Sequence, residues 1–156
     1  MAGEESVKTP APPCTYCGRD TEPVTGKKVY PHIQHEDLWP GKYWLCEYCN
    51  AYVGCHADSD IPLGTPANGE LRRARTKAHK QFDKLWRGAN KSPRKQIYES
   101  LAHHLGIPTE KCHIGMFDLK QCKMTEDWSR DKALLRQVRS IKKNHEPRRG
   151  RKRKQW

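Results

Sequence analysis

The chain has few hydrophobic residues and no long apolar run. Hydrophobic types make up 35% of its 156 residues, and the mean hydropathy is −1.03. This apolar fraction is small for a chain with one large core. No stretch approaches membrane-spanning length, and residues 1–5 do not resemble a signal peptide. We therefore expect no membrane partner, and a small metal-stapled module beside a helical domain.

The common signatures of catalysis are also missing. The sequence holds no glycine-rich phosphate loop, no G-x-S-x-G motif and no H-E-x-x-H motif. The cysteines best placed to act as nucleophiles stand in pairs that are typical of metal ligands. These absences favour a binding protein over an enzyme, although they leave the question open.

Acidic residues are too few to balance the basic ones. The chain has 18 Asp and Glu against 30 Lys and Arg, which gives a formal net charge of +12. Such an excess favours a polyanionic partner, with nucleic acid ahead of an anionic membrane surface.

Four cysteines form two matched pairs, Cys14-Thr-Tyr-Cys17 and Cys46-Glu-Tyr-Cys49, separated by 28 residues. Each C-x-x-C turn brings two thiolates to one point, so two turns complete a tetrahedral sulfur shell for one structural Zn²⁺. Gly18 follows the first pair, where the turn often needs a positive φ. A closed shell leaves no coordination position for chemistry. Two disulfides or a thioredoxin-like redox pair are the alternatives.

Seven cysteines are an odd number, and no secretion signal accompanies them. We therefore expect a reducing compartment, namely the cytoplasm, in which the thiols serve metal binding or packing.

The predicted fold class is α+β, with a small three-stranded zinc ribbon, a helical domain of about three helices, and a basic tail. The chain divides into a disordered lead (1–13), the zinc ribbon (14–56), a helical domain packed on the ribbon (57–124), a C-terminal basic helix (125–144) and the basic tail (145–156).

Three short segments of the ribbon are predicted strands. Residues 27–30 and 42–45 have strand-like composition, and the second leads directly into the second cysteine pair. A third strand is predicted over 50–54, and Pro40 with Gly41 indicates a turn between the first two.

The first predicted helix starts at Thr65 as N-cap, with Pro66 at the first helical position, and ends at Gly88. Its apolar face repeats at steps of three and four residues. That face consists of Leu71, Ala74, Ala78, Phe82 and Leu85.

Start and stop signals define the later helices. Ser92 begins a second helix that ends at Gly106, and Asp118 with Gln121 resembles a capping box for a short helical turn. A last helix is predicted from Asp127 to about Lys143.

Several blocks beyond the cysteine pairs carry a family resemblance: residues 44–56, 62–65, 78–86 and 112–118. Together they resemble a family of small phage and prophage proteins described as a zinc-finger-containing domain of unknown function. The resemblance covers about residues 12–124. It implies a zinc site at Cys14, Cys17, Cys46 and Cys49, and a phage protein in a bacterial host cell. It implies no established activity.

Five further residues could form a second metal site: Cys55, His56, Cys112, His113 and Cys122. Adjacent residues on a strand point to opposite faces, so Cys55 and His56 would share a metal only if the strand bends. The alternative is structural, since free cysteine is among the most buried residue types and both Cys-His pairs could help to dock the ribbon on the helices.

Basic residues concentrate on the helices and in the tail. Residues 136–156 hold ten Lys or Arg and one acid, a block that repels itself and gains from meeting phosphates. The alternative is a solvated surface. The predicted nucleic-acid contacts are Arg72, Arg73, Arg75, Lys80, Arg136, Arg139, Lys142, Lys143, Arg148, Arg149, Arg151, Lys152, Arg153 and Lys154.

The aromatic residues of the ribbon have two interpretations. Trp39, Tyr43, Trp44 and Tyr52 could stack on bases, although for most of them a place in the small core fits better. The main prediction is therefore a non-catalytic protein that binds DNA or RNA through phosphates, with weak sequence specificity.

Two alternatives remain. A phage factor could bind a host protein of the transcription or defence machinery. An HNH-like nuclease would match the outer pieces, Cys-x-x-Cys-Gly and Cys-x-x-Cys-Asn, but the metal-binding Asp-His dipeptide is absent. His32 and His35 lie between the cysteine pairs, and His35, Glu36 and Asp37 could supply a base and magnesium ligands, although nothing fixes their geometry.

Overall fold

The computed structural model describes residues 9–34, 36–87 and 92–145. They form two compact units: one runs to Thr76 and includes His113–Leu119, and the other contains Lys77–Cys112 and the residues from Lys120 onward. The class is α+β, as predicted. None of the helices in these described ranges is long and apolar enough to cross a bilayer.

The first unit contains a three-stranded antiparallel sheet in the order β1 (Glu22–Thr25), β2 (Lys42–Cys46) and β3 (Ala51–Gly54). In the register of the sheet, Trp44 pairs with Pro23 on one side and with Val53 on the other. The structure confirms β2 and β3 as predicted, together with the three-stranded ribbon.

The first strand was predicted in the wrong place. Residues 27–30 are not a strand, because Gly26–Val29 form one helical turn, α1, directly after β1. The Gly26 N–H donates to the Gly41 carbonyl at 2.8 Å, and a Cβ at Gly26 would collide with the Leu38 carbonyl. The chain therefore turns at this glycine, and Pro23 is tolerated because β1 is an edge strand.

The connection after β3 is tied to the sheet. Tyr52 and Ala67 exchange two backbone hydrogen bonds, of 3.1 and 3.0 Å. Buried Trp44 donates its Nε1–H to the Asp60 carbonyl at 2.8 Å, which satisfies the indole while the ring fills the core. Trp44 is thus a core residue and offers no free ring for stacking.

Helix α2 (Gly69–Trp86) begins four residues later than Thr65, the predicted N-cap. The Asn68 side-chain oxygen instead accepts the Leu71 N–H at 3.0 Å, which makes Asn68 the cap. Thr65 accepts a hydrogen bond from Arg75 in place of capping the helix. The predicted end at Gly88 lies outside the described residues.

The second unit has its own apolar core. Helix α3 (Ser92–Leu105) starts and stops as predicted, with Gly106 at φ 66° closing it. The core residues come from α2 and α3, and Phe82 packs edge-on against Tyr98 with ring centroids 4.6 Å apart. Its fully buried side chains include Phe82, Leu85, Ile97 and Leu101.

The last helical stretch is divided in two, which corrects the prediction of one helix from Asp127. Helix α4 (Leu119–Ser129) ends before Asp131, and α5 (Lys132–His145) follows. The Asp131 carboxylate accepts the N–H groups of Ala133 and Leu134 at 2.8 and 2.9 Å. A side chain that caps a helix this well competes with continuation of the preceding helix. The domain boundary predicted after residue 124 therefore falls inside α4.

Candidate metal centre

Two knuckles of the same form present the four predicted ligands. In the first, the Gly18 N–H donates to the Cys14 carbonyl at 2.9 Å, and Gly18 has the predicted positive φ, at 72°. In the second, Asn50 takes the corresponding place after Cys49, with φ 49°. Asparagine is one of the few non-glycine residues that adopt this conformation readily. Both turns therefore end at a residue with a positive φ.

The chain around each knuckle holds it in place. The first is flanked by a bridge between Pro13 and Asp20, and Thr15 donates its hydroxyl to the Pro66 carbonyl at 3.2 Å. The second grows directly out of β2, whose last residue is Cys46. Sheet and loop thus determine where the thiols converge.

The four sulfurs lie within 4.8 Å of one another. The Cys17 and Cys46 Sγ atoms are 3.7 Å apart. Zinc–sulfur bonds of about 2.3 Å in a tetrahedron place neighbouring sulfurs about 3.8 Å apart, so this spacing fits a zinc shell. All seven cysteines lie in the described residues and are free thiols, which does not support the disulfide alternative.

The thiols differ in their acidity. The backbone N–H of Arg19 lowers the pKa of Cys17 to about 7, whereas burial raises the pKa of Cys49 to about 12. The backbone N–H of Cys49 lowers the pKa of Cys46, but burial and the neighbouring thiols outweigh it and raise that pKa overall. Four thiolates this close repel one another, so a divalent cation is what allows them all to ionise.

The second candidate metal site does not come together in the part of the chain that the structure describes. There the four knuckle cysteines are the only group of three or more potential ligands that converge. Cys112 and Cys122 are buried, and burial raises the pKa of Cys112 to about 11, so it is a neutral, packed thiol. His56 and His113 are exposed.

The pieces of the nuclease alternative give no such cluster either. His32, Glu36 and Asp37 are exposed. Among the described residues, none of them belongs to a group of three or more potential metal ligands. His35, the other histidine of that alternative, lies outside the described residues.

The predicted nucleic-acid contacts fall into three groups. Arg73, Lys80 and Arg136 are exposed, and Arg72 is half-buried. The side chains of Arg139, Lys142, Lys143, Arg148, Arg149, Arg151, Lys152, Arg153 and Lys154 lie outside the described part of the structure.

Arg75 alone forms the third group, because its side chain is buried and hydrogen-bonded within the protein. It is 9% exposed and donates to the Phe117 carbonyl at 3.0 Å, the Thr65 carbonyl at 2.7 Å and the Thr65 hydroxyl at 2.6 Å. The sequence carried a signal for this placement, since position 75 continues the repeat of Leu71, Ala78 and their buried neighbours. These hydrogen bonds occupy the Arg75 guanidinium inside the protein, so Arg75 is not a phosphate contact in the function proposed for this chain.

The fold and the sulfur cluster together define a zinc-binding domain. A family model described as "zinc-finger-containing domain" matches residues 11–132, and the chain belongs to that family. No curated protein and no solved structure matches the chain. This match confirms the predicted zinc-finger-containing domain family, and the description agrees with a donor set that can hold one metal ion.

Proposed function

We propose that this protein is a zinc-ribbon protein that binds DNA or RNA mainly through phosphates, with weak sequence specificity and without catalysis. The observation that carries the proposal is the position of the charge. Residues 133–156 contain ten Lys or Arg and one Glu, a net +9 of the chain's net +12. A block of this density gains free energy by releasing counterions from a polyanion.

The ribbon makes a different contribution. Residues 14–56 hold four Lys or Arg and five Asp or Glu, so the ribbon does not supply the electrostatic attraction. Its sulfur shell would bind one zinc ion and keep all four coordination positions closed, which suits a structural metal. The ribbon then stabilises the fold, and the helices and tail contact phosphate.

Helix α2 carries a stripe of exposed lysines that supports this assignment. Lys77, Lys80 and Lys84 recur at steps of three and four residues, which places them on one helix face. Among the residues described, neither Lys77 nor Lys80 forms an ion pair, in contrast to Lys28 with Glu47 and Lys123 with Asp127. Unpaired cations keep their charge available for phosphate.

Charge-matched variants test the stripe. Replacing Lys77 and Lys80 with Gln removes two unpaired charges, whereas replacing Lys28 and Lys123 removes two that are already paired. If Lys77 and Lys80 each neutralise one phosphate, their replacement should reduce the slope of log K against log salt by roughly 1.4 to 1.8. We expect this change only in the first variant, measured by fluorescence anisotropy with a labelled oligonucleotide. Equal slopes in the two variants would remove the stripe from the proposal.

A host protein is the second candidate partner, in the bacterial cytoplasm implied by the phage resemblance. Ile61 and Leu63 are each 55% exposed and Met116 is 51% exposed. Leu63 and Met116 flank Gly64 and Gly115, whose backbones meet so closely that a Cβ at Gly64 would collide with the Gly115 carbonyl. Exposed apolar side chains grouped in this way are typical of protein contacts.

Affinity capture from a bacterial lysate separates the two candidates. A host protein of the transcription or defence machinery should stay bound after nuclease treatment, and Leu63→Ser should release it. A protein that nuclease treatment releases was bridged by nucleic acid, which supports the main proposal.

A further inference from the structure

A cleft of about 400 Å³ opens in the first unit beside β2 and β3. Its volume is within the range of pockets that hold small ligands, roughly 300–1,000 Å³. Three half-buried tyrosines line it, Tyr30, Tyr43 and Tyr52, and they come from three separate segments of the ribbon. Only the fold brings these rings together.

The three rings form a corner. Each pair meets edge-on, with centroids 5.8 to 6.0 Å apart and interplanar angles of 77° to 82°. The Tyr52 hydroxyl donates to the Tyr30 hydroxyl at 3.2 Å. Burial raises the pKa of Tyr52 to about 12, so the hydroxyl is protonated and adds no negative charge at neutral pH. The corner is therefore aromatic and uncharged.

The charged side chains that line the cleft are all positive. Lys42, Arg72 and Arg75 line it, and no Asp or Glu does. The Arg72 guanidinium lies over the Tyr52 ring, with Cζ 3.7 Å from the centroid, and Lys42 pairs with Asp60 on the surface. An aromatic site for a cationic ligand would not be lined by cations. This cleft suits a planar ring that carries an anion.

We infer that the cleft binds one unstacked nucleobase together with its phosphate. The base would stack in the tyrosine corner, and Arg72 would contact the phosphate, because a guanidinium fits phosphate and also stacks on aromatic faces. This inference rests on the proposed function and makes it more specific: an unstacked base is available in a single strand and not in an intact duplex. A free nucleoside monophosphate offers the same chemistry.

Gly54 allows the cleft to be closed without removing any side chain that lines it. A Cβ there would lie 3.5 Å from a Tyr43 ring carbon and 3.7 Å from a Leu63 methyl, which is ordinary contact. Gly54 ends β3, where valine is well tolerated, so Gly54→Val should fill space in the cleft and keep the fold. Tyr43→Ala removes one ring of the corner. Tyr48→Ala is the control, because Tyr48 is 75% exposed and does not line the cleft.

The test uses the zinc-loaded full chain and a 12-nucleotide single strand that contains one 2-aminopurine, whose fluorescence falls when the base stacks on an aromatic ring. The matching duplex and a nucleoside monophosphate are the other two probes. Gly54→Val and Tyr43→Ala should abolish the quenching and weaken single-strand binding roughly 5- to 150-fold, the range for removal of one base–aromatic stack. In Gly54→Val the salt slope for the single strand should fall by about 0.7, the value for one lost phosphate contact. Neither variant should change the duplex affinity or the zinc content, and Tyr48→Ala should bind the single strand as wild type does.

The outcomes separate this inference from the proposed function. If wild type binds both oligonucleotides with a steep salt slope but without quenching, and Gly54→Val binds equally well, the cleft assignment is overturned and phosphate-driven binding stands. If no oligonucleotide binds but the monophosphate binds wild type and not Gly54→Val, the cleft is a nucleotide site and the proposed function is wrong. If neither probe binds wild type, both are wrong.

Discussion

The shell of four sulfurs gives the sharpest prediction about stability. Cys49→Ser replaces one of four sulfurs that lie within 4.8 Å of one another, and it leaves three ligands and an open position. The core around the knuckles is small, with Cys14, Cys46 and Ala51 as its buried members. Structural zinc contributes an apparent binding free energy of about 10–16 kcal/mol in zinc-finger peptides. Whole domains are stable by only about 5–15 kcal/mol, so loss of the metal should unfold the ribbon.

The assay combines metal analysis with two spectroscopic signals. Purified wild type should contain close to one zinc per chain and Cys49→Ser close to none. Trp44, buried in the ribbon, should lose its near-ultraviolet dichroism, whereas the second unit should keep much of its helical signal because Phe82 and Leu101 belong to a separate core. Acidification should also release the metal, since protons compete for the thiolates.

Cys55→Ser is the matched control, because Cys55 is a half-buried cysteine of the same unit outside the sulfur shell. We expect it to keep its zinc and its melting temperature. A zinc-free Cys49→Ser protein with an unchanged thermal melt would refute the reasoning. A wild-type value near two zinc ions per chain would establish the second metal site that the described residues do not assemble.

Two further substitutions test the local structure. Arg75→Leu should destabilise the protein by about 3 kcal/mol in urea unfolding, because it removes the donor to the buried Phe117 carbonyl and to two half-buried oxygens of Thr65. A loss below about 0.5 kcal/mol would mean that Arg75 is not structural. Asn50→Val should lower the free energy of unfolding by about 1–2 kcal/mol, because a branched side chain is strained at the positive φ of residue 50. Asn50→Gly should be neutral or stabilising. Equal melting temperatures for the two variants would contradict the knuckle geometry.

Much of the metal site could be predicted from sequence because its information is local. A C-x-x-C turn fixes where two thiolates point, and a glycine at position 18 predicts the positive φ that the structure has there. The stop at Gly106 and the start at Ser92 were predicted correctly for the same reason, since a helix boundary depends on a few adjacent residues.

The misplaced elements depended on competition between local signals or on distant contacts. Asn68 caps α2 because Thr65 is engaged by Arg75, ten residues further along the chain. Asp131 ends one helix and caps the next, although the apolar spacing on both sides reads as one continuous helix. The turn at Gly26 depends on the Leu38 carbonyl, which only the folded chain places beside it.

The tyrosine corner had no signal in the sequence. Tyr30 stands in a predicted strand that is in fact a helical turn followed by a loop, and it meets Tyr43 and Tyr52 only through the sheet register. Spacing along the chain cannot indicate such a contact, because the three residues share no periodicity.

The most direct test of phosphate-driven binding compares the full chain with a chain that ends at residue 144. The deletion removes six Lys or Arg and one Glu, a net +5, and takes away no apolar repeat. Fluorescence anisotropy over a salt series should show the slope of log K against log salt falling by roughly 0.7 to 0.9 for each phosphate that the shortened chain no longer neutralises, with an unchanged melting temperature. Coinciding slopes, or no binding by the full chain even at low salt, would contradict the account.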